Sequence, residues 1–409
     1  MRSFRLGQAL LAVVLLCLPA GLAAQKARPR AKLLPAGADT NSPIAFYRHA
    51  LSVLDQDPRK AADALYWATR LDPRWSEALY ARRIAELRAD QLRMMRYFRG
   101  DKRLRQSKEI RALDSLMVRA IAINPFLHRQ LDPGLVRHYL RADWEEFLRR
   151  RNPGLDVNTL RAEIEREIET YLRMDGGLWM RAWLAYGEGR FTQALDYYAR
   201  TLDKQHKNPE GHVDRADIFY LQGNFAESVA ELTHALMDMQ EKDRKEESLW
   251  IYFSREVLEY KLGMAYARLE QLDQARAAFD RALAEDLAFY PAHVILSNFA
   301  LLARDPATAV WELGLAVDLA PQEPGPLLEY GLLQLQTGDV AGADSTLQRL
   351  ATLEPWFPEP RRVLGDVAER GGRPAEAIGH YRAFLALTYA GDKRVPEVRA
   401  RLTALGASP

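Results

Sequence analysis

Four stretches decide how this chain folds: GRFTQALDYYARTL from Gly189, GNFAESVAELTHAL from Gly223, EQLDQARAAFDRAL from Glu270 and GRPAEAIGHYRAFL from Gly372. Each reads as a turn followed by an amphipathic helix. Glycine at the start tolerates the positive φ that ends a preceding helix. A small residue follows five positions on, and a large one four after that, on the same helical face. The small residues are Ala194, Ser228, Ala275, Ala309, Ala343 and Ala377. Neighbours in that series are 34 positions apart, except that Ser228 and Ala275 are separated by 47, which is 34 plus an insertion of 13 around Asp243–Arg255. A fixed period in this range marks a stacked repeat.

The large residues that follow the anchors are Tyr198, Leu232, Phe279, Leu313, Leu347 and Tyr381. Upstream, Leu262-Gly263, Tyr330-Gly331 and Leu364-Gly365 mark the close-contact points of a first helix, and Pro321 and Pro355 close second helices. A small residue in helix A, Gly at the turn, Ala early in helix B, a large residue four later and Pro at the close resemble the tetratricopeptide repeat family. The resemblance implies an all-α, helical-hairpin solenoid wound as a right-handed superhelix, with six units over 175–391. An N-terminal unit fits Ala61, Leu65, Ala68 and Asp72-Pro73, and Ala120 with Pro125 suggests a second with a long loop, so 44–125 is read as repeat-like with a basic loop. Between 126 and 174 the pattern fails, leaving an irregular pair of helices over Leu135–Arg150 and Thr159–Arg173. Residues 392–409 read as a capping helix and tail, with Pro396 near its start.

Composition fits a folded repeat protein: 48% hydrophobic, 27% charged and 10% aromatic. Lys and Arg number 57 against 55 Asp and Glu, and the excess is Arg2 and Arg5, which argues against a basic nucleic-acid binder. Those two arginines, the apolar run Ala9–Leu18 and then Pro19, Gly21, Ala23 and Ala24 read as a cleaved secretory signal over 1–24. The run is too short to cross a bilayer, where about 20 apolar residues are needed. Leu16 before Cys17 disfavours a lipoprotein, and Cys17 is the only cysteine, so the mature chain would carry no disulfide or thiolate site. Residues 25–43, with Pro29, Pro35, Gly37 and Pro43, read as a flexible lead-in. An exported, periplasmic or secreted protein is the expectation.

In the resembling family helix A lines a concave face that binds an extended peptide or a protein surface. Carrying those positions across by register puts Trp179, Trp183, Tyr186, Val213, Asp217, Tyr220, Tyr260, Met264, Leu328, Leu332 and Leu335 on that face, with Arg362, Asp366, Glu369 and Arg370 at its far end. Buried aromatics dominate interface energetics, at about 2 kcal/mol or more each. Trp179 and Trp183 are read two ways, as partner anchors or as ordinary core covered by the helix at 159–173. The family's carboxylate clamp of Lys, Arg and Asn is not matched at these aromatic and aliphatic positions.

From Ala81 to Ala112 eleven Lys or Arg residues face four acids. Arg93, Arg96, Arg99, Lys102, Arg103, Arg105 and Lys108 make this the strongest charge bias, suited to anionic lipid or glycan, or simply a solvated helix end. The tripeptide Arg99-Gly100-Asp101 is short enough to occur by chance. Catalytic patterns are missing from the sequence: His206 and His212 do not share a helical face, there is no HExxH, P-loop or GxSxG, and the GxG at Gly187 follows no strand. The acids Glu145, Glu146, Glu163, Glu165 and Glu167 stand at helical spacing from arginines, as in surface ion pairs. The sequence therefore reads as a non-enzymatic scaffold of the bacterial envelope, without cofactor or metal, binding an envelope protein or peptide. The alternatives are an accessory factor holding anionic lipid or polysaccharide through 81–112, and an enzyme using Asp143, Glu145, Glu146 and His138.

Overall fold

A computed structural model describes residues 30–174, 177–203, 208–239 and 253–408. The expected signal, Cys17, His206 and most of the insertion at 243–255 lie outside the described residues. Among those described, α-helices follow one another without a strand. The N-terminal part holds α1 (Pro43–Val53), α2 (Pro58–Leu71), α3 (Ser76–Arg88), α4 (Gln91–Phe98), α5 (Lys102–Arg105) and α6 (Lys108–Ile123). The long hairpin α7 (Asp132–Arg151) and α8 (Val157–Arg173) follows.

Six hairpins then stack: α9 (Leu178–Gly187) with α10 (Phe191–Leu202), α11 (Pro209–Leu221) with α12 (Phe225–Asp238), α13 (Arg255–Arg268) with α14 (Leu272–Glu285), α15 (Tyr290–Leu302) with α16 (Pro306–Leu319), α17 (Pro324–Thr337) with α18 (Val340–Leu353), and α19 (Glu359–Arg370) with α20 (Pro374–Leu387). The last helix, α21 (Val395–Ala404), buries Val398 and Leu402 against α20. The architecture is the all-α hairpin solenoid that the period predicts.

The physical basis of each hairpin is visible at its anchor. All six small anchors are fully buried. A Cβ added to Gly263, Gly331 or Gly365 would meet Phe279, Leu347 or Tyr381 at 2.5, 2.7 and 2.3 Å, so the large residue of helix B lies directly on the bare backbone of helix A. Where the small residue is serine, its hydroxyl donates to a carbonyl across the hairpin: Ser228 Oγ to Ala216 O and Ser297 Oγ to Ala309 O, both at 2.9 Å. A buried hydroxyl is thereby satisfied without loss of the close approach.

The expected flexible lead-in needs correction from residue 30 onward. The Arg30 guanidinium donates to Thr40 O and Asn41 Oδ1, both at 2.6 Å, and sits over the rings of Trp67 and Trp356. Asn41 Nδ2 in turn donates to Ala386 O at 3.2 Å, tying the start of the described chain to the last hairpin. Proline and glycine lowered the expected order of this stretch, but an arginine able to stack and donate at once fixes it.

Candidate functional site

The inner face of the hairpins is set by helix A positions 15, 11 and 8 residues before each anchor. In the first three hairpins this face is occupied by the chain itself. Residues 122–132, the end of α6, the link to α7 and its first residue, lie across it. Phe126 stacks on Tyr220 with centroids 3.6 Å apart, and His128 Nε2 is 2.8 Å from Tyr186 O. The Arg129 N–H donates to Tyr186 Oη at 3.2 Å, and its guanidinium donates to Asp214 Oδ1 at 2.5 Å and Asp217 Oδ2 at 3.0 Å. Tyr260 Oη donates to Ala122 O at 3.1 Å.

Around Arg129 the charges form a buried network. Trp183 Nε1 and Tyr198 Oη donate to Asp214 Oδ2 at 3.0 and 2.8 Å, and Lys261 Nζ contacts Asp217 Oδ1 at 2.7 Å. Burial pushes the Asp214 carboxyl up despite Arg129, and burial pulls the Lys261 ammonium down despite Asp217. Such a network fixes the position of the linker by geometry more than by net stabilisation, because removing two charges from water offsets their attraction.

Several residues expected to line an open groove therefore need correction. Trp183 is 1% exposed, and Tyr186, Tyr260, Leu328 and Leu335 are likewise buried. Trp183 and Tyr186 are spent on the Arg129 network and Tyr260 on Ala122. Leu328 and Leu335 pack among Leu347, Leu350, Phe357 and Leu364. Trp179 and Tyr220 are half-buried, Trp179 against Trp183 with centroids 4.3 Å apart and Tyr220 under Phe126. Only Leu332 keeps an open side chain, at 37%. The free part of the inner face is the row Met264, Asn298, Leu301 and Leu332, half-buried to exposed, with Asp366 beyond.

The N-terminal helices continue past the linker along the loops between the later hairpins. Arg119 pairs with Glu323 at 2.8 Å, Arg70 with Glu354 at 2.8 Å, and Trp67 meets Trp356 edge to face at 5.5 Å. Arg74 lies over Phe357.

The expected basic patch is likewise dispersed. Arg93 donates to Glu86 O, Arg96 pairs with Asp101, and Arg99 pairs with Asp143 and Glu146 of α7. Arg105 approaches the Tyr97 ring. Lys102, Arg103 and Lys108 are exposed and make no ion pair among the described residues. The carboxylates weighed for catalysis are the partners in these pairs, and Glu145 pairs with Arg149. His138 is held below its usual value, first by burial and then by Arg88 and Arg141.

A tetratricopeptide repeat model matches residues 180–242, 260–324 and 328–391, the stretches of the six hairpins. Those three stretches carry tetratricopeptide repeats. Proteins with these repeats are in general interaction scaffolds without catalysis of their own. Among solved structures, the C-terminal part of a tetratricopeptide repeat protein from Cytophaga hutchinsonii is 11% identical, with 55% of this chain and 83% of that one covered and a TM-score of 0.44. Yeast Tom70 is 13% identical over 89% of each chain, also at 0.44. YrrB, described as a tetratricopeptide repeat protein with an unusual peptide-binding site, is 14% identical over 51% of this chain and 96% of its own, at 0.37. No curated protein matches the chain by sequence. Among the described residues no helix is long and apolar enough to cross a membrane.

The register locates the inner face, since hairpin period and helix A spacing define it. It could not show which part is covered. An aromatic row that binds the chain's own linker has the same composition as one that binds a partner. The only local signal is Phe126 and Arg129 in the non-repeating 124–131 stretch, an aromatic and a cation where a solvated loop would carry small polar residues.

Proposed function

We propose that this chain is a non-enzymatic scaffold of the bacterial cell envelope that is exported and holds a partner protein or peptide on the open row of its inner face. The carrying observation is that Met264, Asn298, Leu301 and Leu332, on three consecutive hairpins, stay accessible while residues 122–132 cover Tyr186, Tyr220 and Tyr260, and Leu328 and Leu335 are packed in the core. An apolar row with one amide suits an extended peptide: Met and Leu take alternate side chains, and Asn298 offers a donor and an acceptor to a peptide backbone. Export rests on Arg2, Arg5 and the apolar run Ala9–Leu18.

The test is in-cell crosslinking and recovery of partners by wild type, by Leu332→Asp with Asn298→Ala, and by Lys102→Glu with Arg103→Glu and Lys108→Glu. A partner lost only in the first variant, with helix content intact by circular dichroism, supports the inner-face reading. Loss only in the charge-reversal variant, with binding that falls steeply with salt, transfers the function to anionic polymer. N-terminal sequencing of the cell-fractionated protein checks export. A chain that begins at Met1 and stays in the cytoplasm would overturn it.

A further inference from the structure

A feature unrelated to the inner face lies on the outside of the second hairpin. His212, in the first turn of α11, faces Glu231 and His234 on α12, and ligating atoms of all three lie within 4.8 Å of one another. His212 Nδ1 is 2.6 Å from Glu231 Oε2, its Nε2 is 3.7 Å from Asp238 Oδ2, and the two imidazole centroids are 5.4 Å apart. Glu231, His234 and Asp238 follow at intervals of three and four, one face of a single helix. Arg215 Nη2 engages Glu231 Oε1 at 2.8 Å, which turns Oε2 toward the histidines.

The repeat supplies its own comparison. Two hairpins on, 81 residues later in sequence, the same pair recurs: His293 Nδ1 is 2.7 Å from Glu312 Oε2. There the residues matching His234 and Asp238 are Leu315 and Leu319. The His–Glu pair is thus a packing device of the hairpin, whereas the second imidazole and the extra carboxylate belong to one hairpin and are not required by that device.

We propose that His212, Glu231 and His234 bind a zinc ion, with Asp238 as the carboxylate that orients His212. Two imidazoles and a carboxylate form a donor set for zinc, and tetrahedral bonds of about 2.0–2.1 Å need donors ~3.3–3.4 Å apart. The present separations reach that value through side-chain rotations of the two exposed or half-buried histidines and Glu231. With Nδ1 on the metal, the His212 Nε2–H donates to Asp238, the carboxylate–imidazole–metal arrangement that fixes a ligand's tautomer. The fourth position opens to solvent at the exposed His234 and takes a water. The site staples α11 to α12.

The test is titration of untagged, EDTA-treated full-length protein with zinc chloride against a chromophoric chelator, and with cobalt chloride followed in the visible. The expected result is one zinc per chain and the absorption of four-coordinate cobalt. His234→Ala, an exposed position that leaves the fold intact, should weaken zinc at least about 10-fold and abolish the cobalt bands, and Asp238→Asn should weaken it about 10–100-fold. His293→Ala should change neither. Absence of stoichiometric zinc, or binding that survives His234→Ala and Glu231→Gln, would overturn the site. Equal loss in His293→Ala would do so too, because it would mean general unfolding.

Discussion

Five positions before each anchor, the six hairpin turns place a residue at positive φ: Gly189, Gly223, Gly338 and Gly372, but also Glu270 at 61° and Arg304 at 59°. For a residue with a Cβ this conformation costs about 1–2 kcal/mol. Glu270→Gly and Arg304→Gly should each therefore stabilise the protein by roughly 0.5–1 kcal/mol, the strain relieved outweighing the added unfolded-state entropy. A higher urea midpoint at unchanged slope is the readout, and a lower one would contradict the turn geometry. The sequence displays Glu270 in register with the glycines, so the turn itself was legible, but residue type alone does not report a strained φ.

A second effect at this scale is electrostatic. Burial, and then the neighbouring Asp214, push the Glu210 carboxyl up to about 7. Its folded value lies above the unfolded one, so its contribution is complete below about pH 4.5 and is lost as pH rises through 7. Glu210→Gln should match wild type near pH 4.5 and exceed it by about 2–3 kcal/mol at pH 8. Chemical denaturation at both values checks the sign, and a difference that grew toward acid would refute it.

At the scale of elements, the segment that matters most has no regular structure. Residues 124–131 join α6 to α7 and at the same time serve as the occupant of the inner face, with Arg129 as the peg. Arg129→Ala leaves Asp214 and Asp217 short of a cation in the interior, and should cost about 3–5 kcal/mol. It should also raise hydrogen exchange of α6 and the 124–131 amides before that of α17 to α20. A cost below about 1 kcal/mol would mean that the linker is held by its other contacts, Phe126 on Tyr220 and His128 at Tyr186 among them, and not by the Arg129 charge.

The helix α8 is readable from the spacing of Leu160, Ile164, Ile168 and Tyr171; the first three are buried, but Tyr171 is exposed and Leu172 takes the buried position instead. What periodicity does not encode is where its hairpin with α7 docks. Arg99 meeting Asp143 and Glu146 is a contact between residues more than 40 positions apart, which is why the local charge of 81–112 overstated the free charge on the surface. The same reason hid the pairing of His212 with His234: they share no helix, and only the hairpin brings them together.

On the scale of the whole molecule, the N-terminal helices and the last hairpins hold one another. Trp67 against Trp356, Arg70 with Glu354 and Asn41 on Ala386 O span almost the full length of the chain. Trp356→Ala removes the partner of Trp67 and of Arg30 at a half-open loop site. Increased exchange in α1 and α2 with little change in α9 to α14 is the expected outcome, read by hydrogen–deuterium exchange. Uniform protection in both would show that the ends do not depend on each other. The solenoid was legible because its period repeats, whereas this contact has no counterpart elsewhere in the sequence.

An open stack of hairpins loosens from its ends, since each terminal unit has one neighbour and each inner unit two. Here Asn41 and Ala386 lie 345 positions apart and touch. The terminal units lend each other the neighbour they would otherwise lack, so melting should be closer to all-or-none than the stepwise fraying of a linear array. Synthesis imposes a delay on this arrangement. At roughly 5–20 residues per second, α1 and α2 emerge tens of seconds before the hairpin they lean on exists. During that interval the faces of Trp67 and Arg70 are uncovered, which makes the nascent chain, more than the finished protein, the species in need of a chaperone.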